Sequence, residues 1–405
     1  MNFFFIFAII ILSIIHGIVG LRIIPFLNLN HNLKIISWCC IAVLAALPII
    51  PIILRSKGLE DEIVDWFSWA GYISLGFFVL TFLTVITKDI IYLIIGVLSK
   101  VAPVLGYSTA PANPERREFI QKLLSIGIIT STSASTLIGL YNARKGATIM
   151  ETTVPIKGLG KNLNGLTIAQ ISDLHIGPTI KKGYVERVVD QVNNLNPDII
   201  AITGDLVDGS VKYLEKHVEP IKDLHASIGK YFVTGNHEYY SGVDQWLDKT
   251  DQLGVTNLID SHEIIKKGKD AITLGGVTDY RSSSIKPEHK SDAGKAFHGA
   301  PKDIPKILLA HQPWSIYEAH NAETDLQLSG HTHGGQFWPF IYAVRMANPY
   351  TAGLHNHNGT WIYVNRGTGY WGPPMRLGVE SEITLITLET KKTKIIRKKH
   401  TPLVN

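Results

Sequence analysis

Apolar positions divide the chain into two unlike halves. Before residue 145 they come as long runs; beyond about residue 150 they come as short runs broken by polar, glycine-containing turns. A helix needs about 20 predominantly apolar residues to cross a bilayer. Four stretches approach that length: 3–21 (FFFIFAIIILSIIHGIVGL), 33–54, 67–87 and 120–141, the last rich in Ser and Thr. Residues 90–98 extend the third past Lys88–Asp89. The first run is too long for a cleaved signal peptide and lacks its basic start. Residues 1–145 are therefore expected to form a membrane domain of about four transmembrane helices.

Past residue 150 the pattern changes to that of an α/β domain. Strands are predicted at 166–172, 197–203, 230–234, 271–277, 306–310, 325–329, 360–365 and 382–388. Between the first two, YVERVVDQVNNL (184–195) sets Val185, Val188, Val189, Val192 and Leu195 on one helical face. Polar residues follow the strands repeatedly: DLH, GD, GNHE, HQP and GHTHGG each close an apolar run. In open α/β sheets the carboxyl rim is where ligands bind. Five strand ends delivering Asp, His or Asn predict one functional rim.

Composition adds direction to this picture. The 405 residues exceed one small domain and carry a net charge of +5, with a basic tail in KKTKIIRKKH (391–400) that reads as a solvated end or as a contact for anionic headgroups. Basic residues are not interleaved with stacking aromatics, so no nucleic-acid partner is expected, and no protein partner is identifiable. The only cysteines, Cys39 and Cys40, are adjacent in an apolar run and build neither a disulfide framework nor a zinc cage. Lys100, Arg116, Arg117 and Lys122 follow the third span, and Lys/Arg excess marks the cytoplasmic side. That rule places both termini, and the soluble half, outside. ERREFIQKLL (115–124) resembles a twin-arginine export signal, which gives the same placement.

The rim collects Asp173, His175, Asp205, Asn236, His237, His311, His331 and His333. If the strand ends stay extended, side chains two apart share a face, so Asp173 with His175, and His331 with His333, each face one point. Mixed imidazole and carboxylate donors suit Mn, Fe, Zn or Co better than Mg or Ca. Seven ligands exceed one tetrahedral ion and fit two ions sharing a carboxylate, the arrangement that clamps an in-line phosphoryl displacement.

In this order the blocks DLH, GD, GNHE, H and GHTH, across residues 165–390, resemble the calcineurin-like metallophosphoesterase superfamily. GHTHGGQ and NRGTGYWGPPMRLGVESEITLITL (365–388) resemble its membrane-associated bacterial subfamily, similar to YkuE and YaeI. The resemblance implies a four-layer α/β/β/α sandwich over 150–395, followed by the tail 396–405. It implies one divalent metal on Asp173, His175 and His333, a second on Asn236, His311 and His331, and Asp205 bridging. His237 would donate a proton to the leaving oxygen or stabilise charge in the transition state, with Asp208 and Glu238 orienting the ligands. The expected function is hydrolysis of a phosphodiester, phosphomonoester or pyrophosphate, in a lipid-linked substrate, by metal-activated water. The expected setting is a bacterial inner membrane, with the bilayer as partner and the catalytic domain periplasmic. Soluble nucleotides or wall polymers as substrates, and a non-catalytic sensor, remain alternatives.

Other residues receive plainer expectations. His355 and His357 in GLHNHNG are expected in a solvated turn. Arg281, within the insertion 279–301, and Arg366 are candidates for phosphate contact. The aromatic stretch FWPFIYAVRMANPY (337–350) is expected either in the core or as an apolar wall.

Overall fold

The computed structural model describes residues 3–105 and 113–391; nearly all of the basic tail lies outside them. The front half is helical: α1 Phe3–Ile23, α2 His31–Ala46, α3 Ile49–Ser56, α4 Glu62–Val101 and α5 Pro114–Arg144. Their starts are written in short polar side chains. Asn30, Asp61 and Asn113 accept from the backbone N–H groups of Leu33, Val64 and Arg116 at 2.9, 2.9 and 3.1 Å, satisfying donors that a helix start leaves free. Ile9–Leu27, His31–Ser56, Glu62–Leu105 and Pro114–Arg144 are long and apolar enough to cross a membrane. The third stretch and its extension form one 40-residue helix. Asp89 is accommodated in it by Arg22 of α1, 2.9 Å away. Arg116 and Arg117 lie in the first turns of α5, whose 31 residues run about 45 Å to the other half.

Among the described residues twelve strands follow: β1 Thr148–Ile156, β2 Thr167–Ile171, β3 Ile199–Thr203, β4 Gly229–Val233, β5 Thr256–Asn257, β6 Ser261–Lys267, β7 Asp270–Gly276, β8 Lys306–Leu309, β9 Leu326–Ser329, β10 Gly353–His357, β11 Thr360–Val364 and β12 Glu382–Thr390. They make two six-stranded sheets, in the orders β1-β12-β2-β3-β4-β5 and β10-β11-β9-β8-β7-β6. The strands β2 to β5 are parallel, as are β7, β8, β9 and β11.

Side chains alternate across a strand, and this alternation builds four layers. Ile199 and Ala201 of β3 face inward, meeting Ile272, Leu274, Ile307, Leu309 and Leu328 of the second sheet. Ile200 and Ile202 face outward, under Val185, Val188, Val189 and Val192 of α6 (Lys182–Asn194). On the far side Leu308 packs against Ala293, Ala296 and Ala319. The fold is thus an α/β/β/α sandwich preceded by apolar helices.

Three longer strands depart from the sequence pattern. β1, TIMETTVPI, and β6, SHEIIKK, carry too many polar residues to read as buried strands, because both lie toward sheet edges. His355 and His357 sit on the edge strand β10 rather than in a solvated turn; the turn falls at Asn358–Gly359. His357 is enclosed by Tyr317, His320 and Tyr350. The 337–350 stretch is not core: only Phe337 is buried. Trp338, Phe340, Tyr342 and Met346 are exposed on or beside a short helix, Phe340–Ala347.

The two halves are fastened together at the rim. Met375, fully buried, lies against Gly76 of α4 and Gly139 of α5 and clusters with Leu80 and Phe337. Arg376 donates its backbone N–H to the Gly139 carbonyl (2.9 Å), and Asn142 donates to the Arg376 carbonyl (3.2 Å). Asp65 pairs with Lys181 at 2.7 Å and accepts from the Tyr213 hydroxyl.

Candidate metal centre

Parallel strands bring their carboxyl ends to one edge, and the site is built there. Asp173, Asp205, Asn236, His311 and His331 follow β2, β3, β4, β8 and β9 by two or three residues each. All seven expected ligands and His237 gather at this rim. His333 Nε2 lies 3.1 Å from His175 Nε2 and 3.4 Å from Asp173 Oδ1. His311 Nε2 lies 3.2 Å from His331 Nδ1 and 3.1 Å from Asp205 Oδ2. These are two adjacent triads, Asp173–His175–His333 and Asp205–His311–His331. Asp205 Oδ2 also stands 3.8 Å from His175 Nε2 and 4.0 Å from His237 Nε2, so it sits between the triads.

The strand ends are not extended. Asp173, His175, Asp205, His331 and His333 have φ of 52°, 50°, 51°, 70° and 49°. Non-glycine residues avoid this left-handed region at a cost of about 1–2 kcal/mol each. The extended-strand expectation is therefore corrected: the backbone coils at each ligand, and His331 and His333 turn to different triads. Such strain persists only where surroundings over-determine it. Here His331 N donates to both Asp173 oxygens at 2.9 and 3.0 Å, and His237 N donates to Asp205 Oδ1 at 2.9 Å. Two glycines permit this closeness. A Cβ on Gly330 would stand 2.2 Å from Asp173 Oδ2, and one on Gly235 would stand 2.2 Å from Asp205 Oδ1. That is why GHTH and GNHE both begin with glycine.

The donor set fits cations. In each triad two imidazole nitrogens lie 3.1–3.2 Å apart, close enough for both to address one cation. His311 Nδ1 donates to the Thr203 carbonyl (2.8 Å), and His175 Nδ1 meets Asp208 Oδ1 (3.1 Å), which turns the Nε2 of each ring inward. Asn236 Oδ1 is buried with no hydrogen-bond partner among the described residues. An orphaned buried acceptor is costly unless a cation or donor meets it.

Charge is arranged to match. Burial pushes His331 down to about 3, with the neighbouring His311 adding to the effect. Burial, followed by His175, holds His333 well below its ordinary value. Both shifts favour the neutral ring, the form that a metal ligand must take. Burial opposes ionisation of Asp205 and Asp208, but surrounding imidazoles overcome it and hold both carboxyls well below the usual range. Burial also disfavours charge on His237; Asp208 and Asp205 outweigh it and push that ring up to about 9. His237 Nδ1 rests on Asp208 Oδ1 at 2.5 Å, leaving Nε2 toward Asp205.

Around the triads stand groups that hold ligands in place. Glu238 accepts from the backbone N–H of Gly235, Leu206, Asp205 and Val207 at 2.7, 2.8, 3.0 and 3.3 Å, tying the GD and GNHE loops together. Arg376 escapes sequence reasoning, because an arginine in PPMRLG reads as a surface residue. It is fully buried and donates to the carbonyls of His333 (3.0 Å) and Arg366 (2.8 Å). Arg366, the candidate for phosphate contact, pairs with Glu382. It lines a separate cleft of ≈690 Å³ with Gly334, Ile341 and Arg345. Arg281 is exposed in the insertion. Beside His237 a second cavity, ≈370 Å³, is lined by Tyr240 and Trp371 and also by Arg55, Glu60 and Tyr72 of the helical half. Nothing in the sequence signals that last group, since it arises from the docking of the two halves.

A two-sheet sandwich with a carboxylate shared between two histidine-bearing triads defines a metal-dependent hydrolase of phosphoric esters. Comparison with known proteins gives the family. Residues 166–335 match the calcineurin-like phosphoesterase family. The chain is 35% identical over 340 residues to the transmembrane protein with metallophosphoesterase domain of Danio rerio, covering 82% of this chain and 76% of that one. It is 26% identical over 395 residues to an uncharacterized metallophosphoesterase, Cj0846, of Campylobacter jejuni, covering 96% and 100%. It is 28% identical over 256 residues to the uncharacterized metallophosphoesterase YkuE of Bacillus subtilis, covering 59% and 85%. The chain belongs to the calcineurin-like phosphoesterase family, and its apolar helices and relatives named as transmembrane proteins associate it with a membrane.

Proposed function

We propose that this protein is a multi-pass membrane phosphoesterase that hydrolyses a lipid-linked phosphodiester, phosphomonoester or pyrophosphate on the outer face of a bacterial plasma membrane. The observation that carries the hydrolytic reading is Asp205 between two triads that otherwise share no ligand. Asp173, His175 and His333 would hold one divalent cation and Asn236, His311 and His331 the other, with Asp205 touching both. The donors suit Mn, Fe, Zn or Co. When bound, the pair supplies Lewis-acid stabilisation of phosphoryl oxygens and an activated water.

The protein's own groups do the rest. His237, held through Nδ1 by Asp208, keeps Nε2 free to deliver a proton to the departing oxygen. Asp208 serves His175 and His237 at once, so proton donor and ligand keep a fixed spacing. Glu238 and Arg376 keep the ligand loops from relaxing out of their left-handed turns. Support for a lipid-linked substrate is positional: the rim adjoins α4 and α5, and Trp338, Phe340, Tyr342 and Trp371 are exposed beside it. Aromatic residues favour the bilayer interface. Loop charges support the outward orientation.

The test is a substrate panel on the purified full chain with several divalent ions. It should include phospholipid and nucleotide-lipid micelles and a soluble aryl phosphodiester. Phosphate or alcohol release from micelles is expected. Hydrolysis of soluble esters alone would remove the lipid from the reading, and no turnover of either class would remove catalysis. An alkaline phosphatase fusion after residue 145 should be active, and a silent fusion would reverse the orientation.

A further inference from the structure

The ≈370 Å³ cavity beside His237 has walls from both halves of the chain, and its size falls in the range of small-molecule sites. The helical half is locked into this wall. Arg55, at the end of α3, donates to the Asp208 carbonyl and lies 3.5 Å from Glu60. Glu60 accepts from the Ser210 backbone N–H at 3.2 and 3.3 Å and from its hydroxyl. Tyr72 of α4 completes that side.

The opposite side is aromatic. The rings of Tyr240 and Trp371 stand 5.4 and 5.6 Å from that of His237, both edge-on. They are 67% and 54% exposed, so core packing does not account for them. Charges in the lining are already matched, Arg55 with Glu60 and His237 with Asp208. A second phosphate would find no spare cation there. What the wall offers is hydroxyl groups, a guanidinium–carboxylate pair and two aromatic faces, the chemistry that receives vicinal hydroxyls on a small carbon skeleton.

We propose that the 55–72 segment forms the outer wall of the substrate site, and that Arg55, Glu60 and Tyr72 bind a polyol, such as glycerol or a sugar, carried by the alcohol side of the phosphoester. This rests on the phosphoesterase reading, since it takes the reacting phosphate to lie at the triads. It makes the front half part of the site as well as its attachment.

Calorimetric binding to the Mn²⁺-loaded full chain in detergent tests this without turnover, because carbon–phosphorus bonds are not hydrolysed. The probes are 3,4-dihydroxybutylphosphonate and n-butylphosphonate, which differ only in the two hydroxyls. The dihydroxy compound is expected to bind about tenfold tighter. Tyr72→Phe, which removes only the hydroxyl, and Arg55→Gln should each reduce that preference severalfold while n-butylphosphonate affinity stays within about twofold. Equal affinities in the unaltered protein, or a preference that survives Tyr72→Phe intact, would overturn the proposal. Failure to hydrolyse any ester of the panel, micellar or soluble, alongside a retained polyol preference would sink the hydrolase reading and leave the site standing. Displacement of the dihydroxy probe by phosphatidylglycerol micelles, but not by deacylated glycerophosphoglycerol, would assign the polyol to a lipid. Displacement by the deacylated compound alone would assign it to a soluble ester or polymer; either result supports the site.

Discussion

Glu238→Gln asks whether one buried carboxylate holds the rim together. Its Oε2 accepts from Asp205 N (3.0 Å) and Gly235 N (2.7 Å), and its Oε1 accepts from Leu206 N (2.8 Å) and Val207 N (3.3 Å). Glutamine keeps one oxygen and turns an NH₂ toward the other pair. Two buried N–H groups then lose an acceptor and meet a donor, at about 1–3 kcal/mol each, or roughly 2–6 kcal/mol together. For a domain of this size each kcal/mol moves the midpoint by about 2–4 °C, so a fall of at least about 4 °C is expected. Burial and the Asp205 charge push Glu238 up to about 8, whereas four backbone donors favour the ionised form. The substitution decides between these influences, because a protonated glutamic acid is well imitated by glutamine. The assay is thermal unfolding of the detergent-solubilised full chain, chelator-treated, followed by tryptophan fluorescence. A midpoint within about 1 °C of the parent would refute the reasoning. The variant should also bind metal about 10–100-fold more weakly, as loss of a ligand-orienting group does elsewhere.

Other outcomes follow from the same geometry. Asp205→Ala and His331→Ala should abolish hydrolysis and lower bound metal by elemental analysis; full occupancy in the Asp205 variant would contradict its shared position. His355→Ala should change neither, since that ring donates through Nε2 to the Ala352 carbonyl at 2.9 Å and stacks on Tyr350, away from the triads. Asp198 sits at the opposite end of β3. Burial tends to raise its carboxyl, but the Thr167 backbone N–H, Ser227 and Lys267 outweigh that and lower it. A lowered carboxyl stabilises the fold above its unfolded value of about 3.9, and that contribution is lost as pH falls below it. Asp198→Asn should therefore lower the melting midpoint at pH 7 by no more than about 3 °C, the carboxylate being part-exposed and its charge partner Lys267 screened by solvent. The gap should close toward pH 3, and a gap that widened on acidification would be inconsistent with this sign.

Much of the rim was legible because it is written locally. Each ligand follows an apolar strand by two or three residues, so strand ends and polar signatures coincide in the sequence. Buried strands such as β3 announce themselves by unbroken Ile and Ala; edge strands such as β1 and β10 alternate with Thr, Glu, His and Asn and do not. Left-handed backbone at Asp173 or His333 has no residue-type signal, since it is imposed by the carboxylates and glycines around it. Arg376 and Arg55 were beyond reach for a different reason. Their roles depend on which distant carbonyl lies opposite, and that is known only once α3 and α5 dock against the rim.

The placement of β1 has a consequence for any shortened version of the protein. This strand leaves α5 almost at once and pairs along nine residues with β12, the last strand described. A fragment begun at residue 166, where the family match starts, would strip that cover and leave a nine-residue, Ile- and Leu-bearing ladder unpaired. Bare edges of that kind recruit other chains. Such a fragment would self-associate even with every ligand of the rim intact, and its inactivity would say nothing about catalysis.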